Sequence, residues 1–175
     1  FEEVFRQNHY AYEALSQIPN EIAAPKFVYA HLFSAHWPFM LQPNGELRLP
    51  FTQKMTRNGY VDALEFTNDR LLKAIDSILA NSKVPPVIIL QGDHSNTWVD
   101  PVEWSGSGRV KILSAYYLPG GGDQLLYDTI TPVNNFRLIF KYYFGEDLDL
   151  LPDTSHYLNS DPRAVDIAPS TCLSD

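Results

Sequence analysis

The chain has a single cysteine, Cys172, among its 175 residues. One cysteine excludes an internal disulfide and any metal cluster that is built from several cysteines. It does not assign the redox compartment, because secreted proteins without disulfides are common.

Basic residues and long apolar runs are also scarce. The 13 Lys and Arg residues stand against 21 Asp and Glu residues, which gives a net charge of −8. This balance argues against a nucleic-acid-binding surface, which requires a basic footprint. No apolar stretch approaches the ~20 residues that cross a bilayer, and no signal peptide is recognisable. Because the chain begins at Phe1 without a methionine, we expect it to be a piece of a longer protein.

Several catalytic and nucleotide-binding motifs are missing from the sequence. It has no His-Glu-x-x-His zinc helix, Walker loop, dinucleotide fingerprint or Gly-x-Ser-x-Gly elbow. The glycine run Gly120–Gly122 lacks the spacing and the helix start of a phosphate cradle, so it predicts a flexible turn. Asp62 and Asp69 lie on a predicted helix that already has an apolar stripe, and we expect them to be surface or capping groups.

The residues that are present indicate a globular α/β domain. A hydrophobic fraction of 45% over 175 residues fits one domain, residues 1–175, with a substantial core. The strand-helix-strand order in its middle is a βαβ unit, so we expect the first two strands to be parallel. Hydrophobic periodicity and helix-breaking residues predict helices at 2–18 (ended by Pro19), 60–81 and 133–144. They predict strands at 27–33, 84–90 and 110–117. The remaining segments are predicted loops at 34–55 and 95–109 and an irregular tail at 147–175.

The most informative motif is Gly92-Asp93-His94, which follows the most apolar run of the chain, 84–91. Ligands of open α/β sheets lie outside the carboxyl ends of the strands, and Asp and neutral His are metal ligands. Adjacent side chains of a strand point to opposite faces, so the pair can share an ion only where the chain bends, and Gly92 permits a bend. Alternatively, an Asp-His pair after a strand serves as a turn or a helix cap.

The first predicted strand ends at a second polar motif, which contains His36. If the first two strands are parallel neighbours, His36 emerges at the same sheet edge as Asp93 and His94. The alternative is a packed or surface histidine beside aromatic residues. We expect His31 to be a core residue and His9 to be solvated, whereas nothing in the sequence assigns His156.

Three segments, in this order, resemble the C-terminal half of sulfatase-like enzymes of the alkaline phosphatase superfamily. They are 27–39, 60–69 with the Leu-rich helix that follows, and 87–95. The resemblance spans residues 25–150 and is nearest to membrane-anchored sulfatase-like hydrolases and transferases, which include lipoteichoic acid synthases. It implies a partial α/β domain with a mostly parallel or mixed central sheet and helices on both faces.

The resemblance also implies roles for particular residues. Asp93 and His94 correspond to ligands of a catalytic divalent metal ion (Mn, Mg, Ca or Zn), and His36 to the histidine that contacts the phosphate or sulfate group or acts as an acid. Two-metal relatives carry an Asp-x-x-x-His pair upstream, but here Asp62 is followed by Phe66, which favours a single metal. The family's nucleophile and an acidic ligand lie in the N-terminal half, and nothing before residue 27 matches them.

The resulting expectation is a metal-dependent hydrolase or transferase of phosphate or sulfate esters. Its substrate would be a small molecule or a lipid or glycan ester, at the extracytoplasmic face of a bacterial membrane. This chain would lack the nucleophile, would be inactive alone, and would be completed by the missing N-terminal half of the same protein. The alternatives are a non-catalytic, degenerate sulfatase-like module that binds a ligand or partner, and a structural domain in which Asp93 and His94 hydrogen-bond a loop.

Overall fold

A computed structural model describes residues 2–21, 23, 25–36, 38–48, 56–95, 110–157 and 165–167. The chain forms two compact units, Phe1–Pro86 and Val87–Asp175, and each is described by itself. The first contains helices α1 (Glu2–Glu21) and α2 (Arg57–Asn81). The second contains, in order, β1 (Ile88–Gln91), β2 (Ser114–Tyr117), a 3₁₀ helix (Pro119–Leu125), α3 (Pro132–Phe144), β3 (Ser155–Tyr157) and β4 (Val165–Ile167).

The core of the first unit lies between α1, α2 and the loop that joins them. It is built from Tyr12, Leu41 and Phe66, and the rings of Tyr12 and Phe66 meet edge to face at 5.9 Å. Thr56 caps α2 by accepting a 3.0 Å hydrogen bond from the Gly59 N–H, so the helix begins at residue 57 and not at the predicted residue 60. No described helix has the length and apolarity to cross a membrane.

Helix α1 continues to Glu21, so the prediction that Pro19 ends it is wrong. A proline inside a helix removes one backbone hydrogen bond and disturbs the turn before it. Pro19 lies two residues before the end of α1, where the last carbonyls have no helical partner in any case, so little helix lies beyond the disturbed turn.

The prediction of a buried strand over residues 27–33 is also wrong for the structure as described. No strand is assigned there, and Phe27 and Tyr29 are each 79% exposed. Aromatic and aliphatic composition favours a strand, but a strand forms only when a neighbouring strand accepts its backbone hydrogen bonds.

The second unit contains two small antiparallel sheets. Strand β1 pairs with β2 from Ile88↔Tyr117 to Gln91↔Ser114, and β3 pairs with β4. Both strands of the first pair are shorter than predicted, and β3 and β4 lie in the segment expected to be irregular. The described sheets are too small to test the predicted central sheet, which therefore stays a prediction. The prediction of a single domain over residues 1–175 also stays a prediction.

Helix α3 closely matches the helix predicted at 133–144. Thr131 is the residue before its first turn, Pro132 occupies that turn, and Gly145 ends it in the left-handed conformation at φ 72°. Within Pro119–Leu125, Gly120 and Gly121 have non-helical φ angles of 74° and 92°, so the glycine run forms a kink between two short 3₁₀ turns.

Candidate metal centre

The Gly92-Asp93-His94 motif directly follows β1. The Gly92 N–H donates to the Leu113 carbonyl at 2.9 Å and extends the ladder one residue beyond the strand. Gly92 does not have a positive φ, and a Cβ built on it would approach nothing closer than 3.6 Å. Gly92 permits the bend, and the same backbone would also accommodate other residues.

The side chains of Asp93 and His94 turn toward each other after the strand ends. Asp93 Oδ2 lies 3.6 Å from His94 Nε2, and the two side chains are 75% and 45% exposed. The His94 N–H donates to Asp93 Oδ1 at 2.9 Å, which fixes the carboxylate beside the backbone. The two donor atoms thus converge, as a shared ion requires.

The hydrogen bond of the other ring nitrogen decides which form of the imidazole is present. His94 Nδ1 lies 3.1 Å from the Ser95 carbonyl oxygen, which can only accept, so Nδ1 carries the proton. In the neutral ring, Nε2 then presents its lone pair to the Asp93 carboxylate. A metal ion or a water molecule can bridge these two exposed acceptors.

The pair fits a divalent cation as two of its ligands. An oxygen and a nitrogen donor suit Mn²⁺, Mg²⁺ or Zn²⁺, and metal-bound histidines commonly donate their second N–H to a carbonyl, as His94 does to Ser95. Among the described residues, no group of three or more His, Cys, Asp or Glu side chains could hold a metal ion. Asp93 and His94 are therefore an incomplete ligand set.

His36 lies in the first unit, in a turn that follows residues 27–33. Its N–H donates to the Phe33 carbonyl at 3.1 Å, and its ring meets the Phe33 ring edge to face at 5.9 Å. It is exposed and packs beside an aromatic ring, which agrees with the alternative of a packed or surface histidine. Because the two units are described separately, its approach to Asp93 and His94 stays a prediction.

The structure reverses the expectations for two other histidines. His9, expected to be solvated, lies 4.4 Å from the Phe5 ring and 5.1 Å from the Phe66 ring, and its Nε2 contacts the Gly45 carbonyl at 3.1 Å. It faces α2 because the helical period places it beside the apolar stripe of α1.

His31, expected in the core, is exposed and lies 4.2 Å from the Phe33 ring. Its predicted burial depended on the strand that does not form. His156 lies in β3, and Cys172 lies outside the described residues.

Two positions on α2 bear on the second metal site, for which the sequence offers no support. Phe66 stands at the position where the sulfatase-like resemblance would require histidine for that site, and it is fully buried in the core. Asp62 was expected to be a surface or capping group, but it forms a partly buried ion pair with Arg48 of the loop. Asp69 is a surface group, as predicted, and pairs with Lys73 at 2.7 Å.

Comparison of the chain with models of protein families, with curated proteins and with solved structures finds no match. No family is shown. The implications of the sulfatase-like resemblance are therefore proposals.

A polar network around the buried side chain of Asn135 is absent from the predictions. Asn135 of α3 is 1% exposed, and its side-chain amide donates to Gln91 Oε1 at 2.7 Å. Its oxygen accepts from the Tyr116 hydroxyl at 2.7 Å, which lies 2.5 Å from Ser114 Oγ. The network joins α3 to the last residue of β1, immediately before the candidate site. The only sequence signal is the pair of asparagines in the first turn of α3.

Proposed function

We propose that Asp93 and His94 bind one divalent cation in a hydrolase or transferase of phosphate or sulfate esters. The observation that supports this is the geometry of the pair. Asp93 Oδ2 and His94 Nε2 lie 3.6 Å apart, while His94 Nδ1 contacts the Ser95 carbonyl. A carboxylate oxygen and an imidazole nitrogen that face each other are two of the ligands that a divalent cation takes.

The bound cation would activate an oxygen nucleophile and neutralise charge on the ester oxygens. Asp93 and His94 would hold it at the end of β1, and Asn135 would hold the strand end through Gln91. We propose that His36 donates a proton or a hydrogen bond to an ester oxygen. The nucleophile would come from the N-terminal half of the same protein, because no residue before position 27 matches the family's nucleophile.

The proposed substrate is a phosphate or sulfate ester of a small molecule, a lipid or a glycan. The resemblance to membrane-anchored sulfatase-like enzymes supports this class and an extracytoplasmic location on a bacterial membrane.

A titration with Mn²⁺, followed by NMR of the histidine side chains, tests the site directly. The chain has five histidines, and a bound paramagnetic ion broadens the resonances of its nearest neighbours first. We expect the His94 resonances to broaden at a lower Mn²⁺ concentration than those of His31, which is also exposed. Asp93→Asn should raise the required concentration about tenfold, which corresponds to roughly 1.4 kcal/mol of lost binding.

His31 and Asp123, an exposed acidic residue outside the motif, supply the controls. Asp123→Asn should leave the His94 broadening unchanged. Equal broadening of His94 and His31, or no effect of Asp93→Asn, would contradict the proposed metal site. Mg²⁺ should compete with Mn²⁺ if the site takes hard cations.

A non-catalytic module that binds a ligand or partner is the second candidate. One observation favours it: within the described ranges, Asp93 and His94 have no third ligand of the usual kinds. The two candidate functions can be distinguished in the longer protein of which we propose this chain to be a part. Replacement of both residues by alanine abolishes metal-dependent ester cleavage if the protein is the enzyme, whereas a module shows no such cleavage to lose.

A further inference from the structure

The hydrogen bonds around Asn135 run in one direction and end at the amide of Gln91. The Tyr116 hydroxyl donates its one proton to Asn135 Oδ1 at 2.7 Å. Because that proton is used, Ser114 Oγ is the donor in its 2.5 Å contact with the Tyr116 hydroxyl. Asn135 Nδ2 in turn donates to Gln91 Oε1 at 2.7 Å. Every group in the chain of hydrogen bonds therefore donates toward Gln91.

This chain of hydrogen bonds fixes which end of the Gln91 amide faces inward. Asn135 is 1% exposed, so both ends of its amide depend on Tyr116 and Gln91 and not on solvent. Its oxygen faces Tyr116 and its nitrogen faces Gln91, which leaves Gln91 Oε1 as the acceptor on the inner side. Linked hydrogen bonds polarise one another, and this strengthens the donor at the end of the series. The Gln91 amide nitrogen is that donor.

The amide nitrogen of Gln91 has no partner among the described residues. Gln91 is an exposed residue, and its only side-chain hydrogen bond there is the one that Oε1 accepts from Asn135. An amide nitrogen carries two N–H donors and no acceptor. Two free donors that are held in a fixed orientation suit an oxyanion, whose oxygens accept hydrogen bonds.

Gln91 also lies beside the candidate metal ligands, two residues before Asp93. Side chains two positions apart point to the same face of a strand. The Gly92 N–H still pairs with the Leu113 carbonyl at 2.9 Å, so the ladder continues between the two residues. The donors of Gln91 and the carboxylate of Asp93 therefore leave the end of β1 on one face, where a cation bound by Asp93 would attract an anion.

We propose that Gln91 Nε2 donates a hydrogen bond to a non-bridging oxygen of the phosphate or sulfate ester that the cation binds. This inference rests on the proposed metal site and adds a substrate contact to it. Gln91 is neutral, so it stabilises the anion without competing with the ester for the cation as a carboxylate does. Asn135, Tyr116 and Ser114 are positioning residues, because they set which end of the Gln91 amide faces the ester.

Side-chain NMR of the whole chain with Mg²⁺ and inorganic phosphate tests this contact. Mg²⁺ is diamagnetic, so the amide N–H resonances stay sharp. We expect phosphate to shift the side-chain N–H resonances of Gln91, and to do so only when Mg²⁺ is present. Gln124 is also exposed in the second unit, outside the motif, and its resonances should not move.

The substitution Gln91→Glu keeps an oxygen for Asn135 and replaces the two free donors by a second oxygen. It should weaken phosphate binding about tenfold, the value of a hydrogen bond to a charged group. Mn²⁺ binding, measured by the broadening of His94, should be unchanged or tighter, because the added carboxylate attracts the cation. A residue that only holds the strand would weaken both. Gln124→Glu adds the same charge elsewhere and should change phosphate binding by less than about twofold.

The substitution Tyr116→Phe tests the positioning without changing Gln91. It removes the donor that orients Asn135, so the Gln91 amide can turn, and phosphate binding should weaken severalfold while Mn²⁺ binding stays the same. Circular dichroism checks that each variant keeps its helices. Unchanged phosphate binding in Tyr116→Phe would overturn the positioning role.

Three results would overturn the contact itself: phosphate that binds without moving the Gln91 resonances, phosphate that binds Gln91→Glu as tightly as the original chain, and no phosphate binding at saturating Mg²⁺. If Mn²⁺ still broadens His94 first, these results leave the proposed metal site standing. A His94 that does not respond to Mn²⁺ would instead overturn the proposed function and this inference with it.

Discussion

Two glycines of the second unit differ in what an added methyl group would meet. A Cβ on Gly122 would lie 2.4 Å from the Tyr143 hydroxyl and 3.2 Å from Leu118 Cβ. That hydroxyl also donates to the Pro119 carbonyl at 2.7 Å, so it has little freedom to move. A Cβ on Gly92 would make only ordinary contacts, and Gly92 does not have a positive φ. The glycine beside the candidate site is thus the replaceable one.

We predict that Gly122→Ala destabilises the chain by about 1–3 kcal/mol, the usual cost of overpacking. Gly92→Ala should be neutral or slightly stabilising, because alanine loses less backbone entropy in an extended segment. Urea unfolding followed by circular dichroism measures both. Tyr143→Phe removes the clashing oxygen and should recover part of the loss in the Gly122→Ala background. Equal stability of the two glycine variants would contradict this account.

The segment after α3 has no regular structure until β3, yet one carboxylate fastens it to the helix. Burial of Asp153 opposes its ionisation, but hydrogen bonds from the Thr131 hydroxyl and N–H, Tyr127 and Asn134 outweigh it and hold the pKa of Asp153 below its ordinary value. The Thr131 N–H and hydroxyl donate at 2.8 and 2.6 Å, and the Tyr127 hydroxyl at 2.5 Å. Asn134, fully buried, completes the cluster through the Leu151 backbone.

We predict that Asp153→Asn lowers the free energy of unfolding by about 1–3 kcal/mol at pH 7, the range for hydrogen bonds to a charged group. A carboxylate whose pKa is lower in the folded state stabilises the fold above its unfolded pKa of about 3.9. That contribution is lost as the pH falls through the folded pKa. The difference between the original chain and Asp153→Asn should therefore shrink below pH ~4.

Urea unfolding at a series of pH values measures this difference. Asp147→Asn is the matched control, because Asp147 is exposed on the same segment and outside the cluster. It should change stability by less than about 0.5 kcal/mol at every pH. A difference for Asp153→Asn that stays constant down to pH 3 would show that ionisation of Asp153 contributes nothing to the fold.

Within the described ranges, the three α-helices were predictable in approximate position, and α3 almost to the residue. Its ends are set by local chemistry: a capping position and proline at one end, and a left-handed glycine at the other. The strands were less predictable. Residues 88–91 pair with 114–117, but residues 27–33 have the same kind of composition and no strand assignment. A strand depends on its neighbour, and the neighbour is distant in sequence.

The candidate site was predictable in identity but not in geometry. The position of Asp93 and His94 after an apolar run identified them as polar groups at a strand end. The sequence could not predict that Nδ1 of His94 is held by the Ser95 carbonyl or that Nε2 faces the carboxylate, because these depend on side-chain torsions. Nor could it locate the link between Asn135 and Gln91, which joins residues 44 positions apart.

At the level of the whole molecule, the chain is two compact units that each have their own contacts. The first is organised by two helices around Tyr12, Leu41 and Phe66. The second is organised by α3, which is hydrogen-bonded to β1, β2 and the segment that follows α3.

The amino-acid sequence alone determined the helices, the end of α3 and the polar motif after β1, because caps, periodicity and breakers act over a few residues. Only the tertiary structure decided that His9 packs between aromatic rings, that His31 is exposed and that Asp62 pairs with a loop arginine. Burial and hydrogen bonding depend on which segments meet in space. The same composition is therefore a paired strand at residues 88–91, where a neighbour is present, and an exposed segment without strand assignment at residues 27–33.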